Sequence, residues 1–169
     1  MKSTNMAKDY AERAQWSLKE AEDALRNGKN AICVRRSQEA LELSTKAVLR
    51  RLAIEYPREH DVSEAMNTAA AKLPPYLADH VEELKKMLTE LARVRGPAFY
   101  GYEAEGIPAS QAFTQEYSSK TLEKTRLLAE LCVRFATETN PSDLASTGSE
   151  HSNPTEMKQR LDKMREEGT

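Results

Sequence analysis

The sequence predicts an all-α fold, an up-and-down bundle of four or five helices. Three observations predict it. Long stretches are rich in Ala, Leu, Glu, Lys and Arg, the residues that lose least on entering a helix. The 7 prolines fall at six well-separated points, so those stretches run uninterrupted. Alternating runs of Val, Ile, Thr and aromatic residues are missing, so no strand is read. A chain of 169 residues is long enough to bury a sizeable core in one domain. Residues 1–139 read as the bundle, 140–153 as a polar linker, and 154–169 as a tail holding a marginal helix.

The first helix is expected from about Thr4 to Asn27. At 100° per residue, Ala7, Tyr10, Ala14, Leu18, Ala21 and Leu25 fall on one face. Gly28 supplies the left-handed residue that ends such helices. Trp16 points away from that face, as a plain surface residue, a dock for the C-terminal tail, or a partner anchor. The second helix, about Asn30 to Ile54 with Asn30 as N-cap, is the expected centre of the bundle. Its broad inward arc holds Cys33, Ser37, Ala40, Leu41, Ser44, Ala47, Val48 and Leu52, many of them small enough for close backbone approach. The opposite stripe, Arg35, Glu39, Glu42, Lys46 and Arg50, reads as a solvated face of mixed charge.

Pro57 breaks the pattern, and Asp61 or Ser63 is placed to start a third, short helix over Val62 to Lys72. A fourth helix follows Pro74-Pro75 and runs to about Val94, with Leu77, Val81, Leu84, Leu88 and Leu91 as a packing seam. Residues 95–114 carry Pro and Gly and are read as a long loop of functional interest. A fifth helix is expected over Gln115 to Glu138, with Leu122, Thr125, Leu128, Ala129, Cys132, Val133 and Ala136 inward.

Net charge is -2, which excludes a global electrostatic drive toward nucleic acid or anionic membrane. No apolar stretch approaches the ~20 residues that span a bilayer, and the N-terminus lacks the apolar run of a signal peptide. Cys33 and Cys132 show neither disulfide-framework nor zinc spacing. They read as buried thiols in a reducing cytoplasm, which is the expected location.

Two stretches carry a resemblance. The first is Gln38, Ala40, Glu42, Lys46, Ala47 and Leu49, followed after the break by His60 and Asp61. The second is Arg95, Pro97, Ala98, Tyr100 and Gly101. Together they resemble the HEPN domain family, the second through an R-x-P-A-x-Y-G motif seen in archaeal members. The resemblance implies a helical bundle, typically a homodimer. It implies one of two activities. One is an RNase, often a toxin paired with a small nucleotidyltransferase-fold protein. The other is a non-catalytic protein that binds nucleotide, RNA or protein.

The RNase members use an R-x(4–6)-H motif. Four to six intervening residues from Arg93 lead to Ala98, Phe99 or Tyr100, and from Arg95 to Tyr100, Gly101 or Tyr102. None is His, so the expected reading is non-catalytic. Tyrosine, with an ordinary pKa of about 10, is a poor base at neutral pH. The candidate ligand-binding residues are Arg93, Arg95, Tyr100, Tyr102, Glu103 and His60. They either brace the loop or hold a small anion or nucleotide, with Arg on phosphate and Tyr on the base. Glu103 and Glu105 lack His or Asp at ligand spacing, so no metal is expected. The Gly-rich stretch lacks a following Lys-Ser/Thr, so no cofactor is expected either.

Overall fold

A computed structural model describes residues 2–139 of the chain. Residues 140–169, including the expected linker and tail helix, lie outside the described part. Among the described residues six α-helices occur in order: α1 (Lys2–Arg26), α2 (Asn30–Arg51), α3 (Ser63–Ala70), α4 (Pro75–Ala78), α5 (Val81–Tyr100) and α6 (Gln115–Thr137). No strand occurs among the described residues, so the all-α bundle is borne out.

Helix α2 is the centre, packed by α1, α5 and α6. Of its 22 residues, 13 are buried, so little of its surface is left to solvent. Two kinds of packing meet on it. Toward α1 and α6 the contact is built from small side chains: Ala14 and Ala21, Ala40 and Ala47, Ala129 and Ala136. Alanine faces let helix axes approach closely. Toward α3 and α5 the core is large-residue: Leu41, Val48 and Leu49 lie among Met66, Leu84, Leu88 and Leu91. Two buried hydroxyls on α2 are satisfied locally: Ser44 and Thr45 both donate to the Leu41 carbonyl.

Two helix ends share one device. After α1, Gly28 has φ +66°, its N–H donates to Leu25 and the Lys29 N–H to Ala24. After α2, the Ala53 N–H donates to Arg50 and the Ile54 N–H to Leu49. Both are the paired closing bonds of a left-handed terminator. The second uses Ala53 at φ +54° instead of glycine. Ile54 then packs on the core, so α2 stops at Arg51 and not at the break before Pro57. Asn30 does not act as the expected cap. Its side chain donates to the Phe113 carbonyl, tying the start of α2 to the segment before α6.

The expected fourth helix is two helices. The Asp79-His80 turn separates α4 from α5, and the seam survives the turn: Leu77, Val81, Leu84, Leu88 and Leu91 are all buried. Helix α5 continues past Val94 and through Pro97 to Tyr100, into the stretch read as loop. An interior proline costs about 3 kcal/mol. Beyond it, Ala98, one turn past Val94, is buried and Phe99 lies under Arg35 of α2, so the helix keeps contact with the bundle. What remains of the loop is compact, with two short 3-10 turns and a Tyr102–Ile107 backbone bridge. Gly101 permits this closure, because a Cβ there would sit 2.2 Å from the Ile107 carbonyl oxygen.

The left-handed Ala53 leads to a stability prediction. A non-glycine residue in that region costs about 1–2 kcal/mol, and glycine's looser unfolded chain returns about 0.4–1. Ala53→Gly is therefore expected to stabilise the fold by about 0.5–1 kcal/mol. A urea midpoint that stays put or falls would count against this terminator.

Candidate functional site

The site grows from the polar stripe of α2. That stripe is not the solvated face its mixed charge suggested. The chain after Ala53 folds back over it. The Glu42 and Lys46 side chains are each only 12% exposed. Arg50 Nε donates to the Tyr56 hydroxyl at 3.0 Å, and the Lys46 ammonium stands 5.6 Å over the Tyr56 ring.

Glu42 is the hub. Its Oε1 accepts from Lys46 at 2.6 Å; its Oε2 accepts from Gln38 at 2.7 Å and meets His60 Nδ1 at 3.1 Å. Burial alone would raise its pKa. The hydrogen bonds from Lys46, Gln38 and His60, with the Lys46 charge, outweigh burial and hold Glu42 below the ordinary carboxylate value. An ionised carboxylate only accepts, so His60 carries its proton on Nδ1 in this contact. Asp61, the next residue, accepts the Ser63 N–H at 3.0 Å and starts α3.

A cleft of about 170 Å³ opens beside this hub, lined by Arg13 of α1, Arg35, Gln38, Glu39 and Glu42 of α2, His60 and Arg95 of α5. Its carboxylates are already engaged: Glu42 as above, and Glu39 by Arg36 at 2.6 Å. Two of its cations are not. Arg35 lies 4.0 Å over the Phe99 ring, and among the described residues neither Arg35 nor Arg95 forms an ion pair. Both are half-buried, where charge is screened less than at the open surface. Arg13 pairs only loosely, 3.7 Å from Asp9. The cleft thus presents guanidinium groups with carboxylates consumed from within, an arrangement that attracts an anion.

The structure brings two of the six candidate residues together here, Arg95 and His60. Arg93 lies elsewhere, in a groove with Lys85, Lys86 and Glu90. Two positions along a helix turn a side chain by about 200°, so Arg93 and Arg95 face different sides. Tyr100 is 67% exposed next to Phe99, Tyr102 closes the backbone bridge, and Glu103 is exposed in a 3-10 turn. Arg13, Arg35, Glu42 and Phe99 were absent from the sequence candidates. The i, i+4 chain Gln38–Glu42–Lys46 was a usable signal, because three linked polar groups next to a buried arc need a cover.

Compared with models of known families, the chain matches that of the HEPN domain over residues 7–138. It belongs to the HEPN domain family. No curated protein and no solved structure matches it. The HEPN-like motif of α2 now divides by role. Ala40, Ala47 and Leu49 are core, while Gln38, Glu42 and Lys46 form the network that receives His60. Among the described residues no three of His, Cys, Asp and Glu converge to hold a metal. No described helix is long and apolar enough to cross a membrane.

The lowered Glu42 pKa sets a pH dependence. The stability it contributes is complete above the unfolded carboxylate pKa and is lost as pH falls through the lower folded value. Glu42→Gln is expected to cost about 1–3 kcal/mol at pH 7, leaving the largely buried Lys46 without its anionic partner. It should also flatten the fall in stability below about pH 5. Equal acid slopes for the two proteins in chemical denaturation would contradict this role.

Proposed function

We propose that this HEPN-domain protein is non-catalytic and binds a phosphate-bearing ligand, nucleotide or RNA, in the cleft between α2 and α5. The observation that carries this reading is the pair Arg35 and Arg95, half-buried on one cleft and without an ion pair among the described residues. The cleft's 170 Å³ falls short of the ~300 Å³ at which sites for whole small molecules begin. It suits a phosphate group, with the rest of the ligand lying over Phe99 and Tyr100 outside. The missing R-x(4–6)-H histidine supports the non-catalytic part. Working as a homodimer is part of the same proposal. Its support is family membership and the exposed apolar side chains Tyr102 and Ile107 just beyond α5.

Calorimetric titration with pyrophosphate, ADP and a short RNA tests the site. Arg35→Ala and Arg95→Ala are each expected to weaken binding about tenfold or more, the worth of a charged hydrogen bond. Arg93→Ala, in its separate groove, should leave binding unchanged. Equal losses at Arg93 and Arg95 would remove the cleft from consideration.

One observation favours a second reading, a divergent ribonuclease. His60 shares the cleft with Arg95, and Glu42 fixes its tautomer so that Nε2 is the basic ring atom. Cleavage of RNA by the wild type, abolished in both His60→Ala and Arg95→Ala, would establish that reading and retire the first.

A further inference from the structure

Among the described residues that line the cleft, His60 alone belongs to a type that changes charge near neutral pH. Arg13, Arg35 and Arg95 keep their charge at any pH of interest. The carboxylates Glu39 and Glu42 are of a type that ordinarily titrates near about pH 4, and Glu42 is held below that. An imidazole ordinarily changes charge between about pH 5 and pH 8. The His60 side chain is 51% exposed, so a proton reaches it from water.

The charges around His60 tie its protonation to what the cleft holds. Its Nδ1–H donates to Glu42 at 3.1 Å. In the neutral ring Nε2 therefore offers an anion only a lone pair, and in the protonated ring it offers an N–H. On α2, Glu42 favours the imidazolium, with Lys46 on its other oxygen taking up part of that effect. Arg13 of α1, Arg35 of α2 and Arg95 of α5 share the cleft and oppose a further positive charge. On the segment itself, Arg58 and Glu59 are exposed, and Asp61 is engaged by the Ser63 N–H. An anion seated on Arg35 and Arg95 cancels their opposition and leaves the pull of Glu42 in place. Anion and proton then favour each other, and by linkage each strengthens the binding of the other. We propose that the cleft takes up its anion together with a proton on His60, so that affinity rises as pH falls from about 8 to about 5.5. This rests on the anion-binding reading of the same cleft.

Sulfate is the probe, because it stays a dianion across this range, whereas a phosphate monoester gains a proton near about pH 6. Calorimetric titration of the full chain should show sulfate bound about fivefold or more tightly at about pH 5.5 than at about pH 8. In buffers of different ionisation enthalpy, between those limits, a fraction of a proton should be taken up per sulfate bound. His60→Asn keeps an N–H for Glu42 and does not titrate. It should hold the affinity within about twofold across the range and abolish the proton uptake. His80 lies at the other end of α5, about 22 Å along the helix from Arg95, so His80→Asn should keep the wild-type pH dependence. Equal affinity at both pH values, or a pH dependence that survives in His60→Asn, would overturn the proposal and leave the anion site standing. Absence of sulfate binding at either pH, or binding that Arg95→Ala leaves intact, would remove the anion site and the proposal with it.

Discussion

The Glu42 carboxylate ties the chain after α2 to the helix at the centre of the bundle. It takes three hydrogen-bond donors: Gln38 and Lys46 on its own helix, and His60 from the returning loop. A carboxylate that is seven-eighths buried is tolerable only when so satisfied. Residues 55–61 are held against α2 at two points, Tyr56 on Arg50 and Lys46 and His60 on Glu42. Asp61, the next residue, accepts the Ser63 N–H at the start of α3. The polar stripe of α2 is thus a joint between secondary-structure elements, and the cleft is what the joint leaves open.

The charges around that cleft follow from the same arrangement. The bundle uses Glu42 and Glu39 internally, and it leaves Arg35 and Arg95 facing each other's surroundings from two different helices. Arg35 gains part of its support from Phe99, at the end of an α5 that runs through a proline to put it there. A cation stacked on a ring keeps its in-plane N–H donors available for a ligand. Buried residues outside the cleft carry no chemistry of this kind. Burial pushes the Cys132 thiol up to about 12 and raises the Cys33 thiol too, so both behave as core side chains.

The helices were legible where period and termination agreed. The alanine face of α1 and its stop at Gly28 needed only the 3.6-residue repeat and one glycine. The Leu84–Leu91 seam likewise predicted its own burial. The losses came where local preference and tertiary packing pointed apart. Pro97 argued against a helix that core contacts at Ala98 maintain. Ala53 takes a left-handed conformation that alanine itself does not advertise. That turn is what sends the loop back over α2, so the covered stripe looked like an open one. Of the candidate site, Arg95 and His60 were found through motif order. Arg35 and Arg13 were not, since their role depends on two other helices and a returning loop.

The account rests on Arg35 and Arg95 acting together on one anion. Proton–nitrogen correlation of the arginine Nε–H groups, recorded while pyrophosphate is added, tests this directly. The Arg35 and Arg95 resonances should move together along one saturation curve while that of Arg93 stays in place. A response led by Arg93, or separate curves for Arg35 and Arg95, would contradict the central claim.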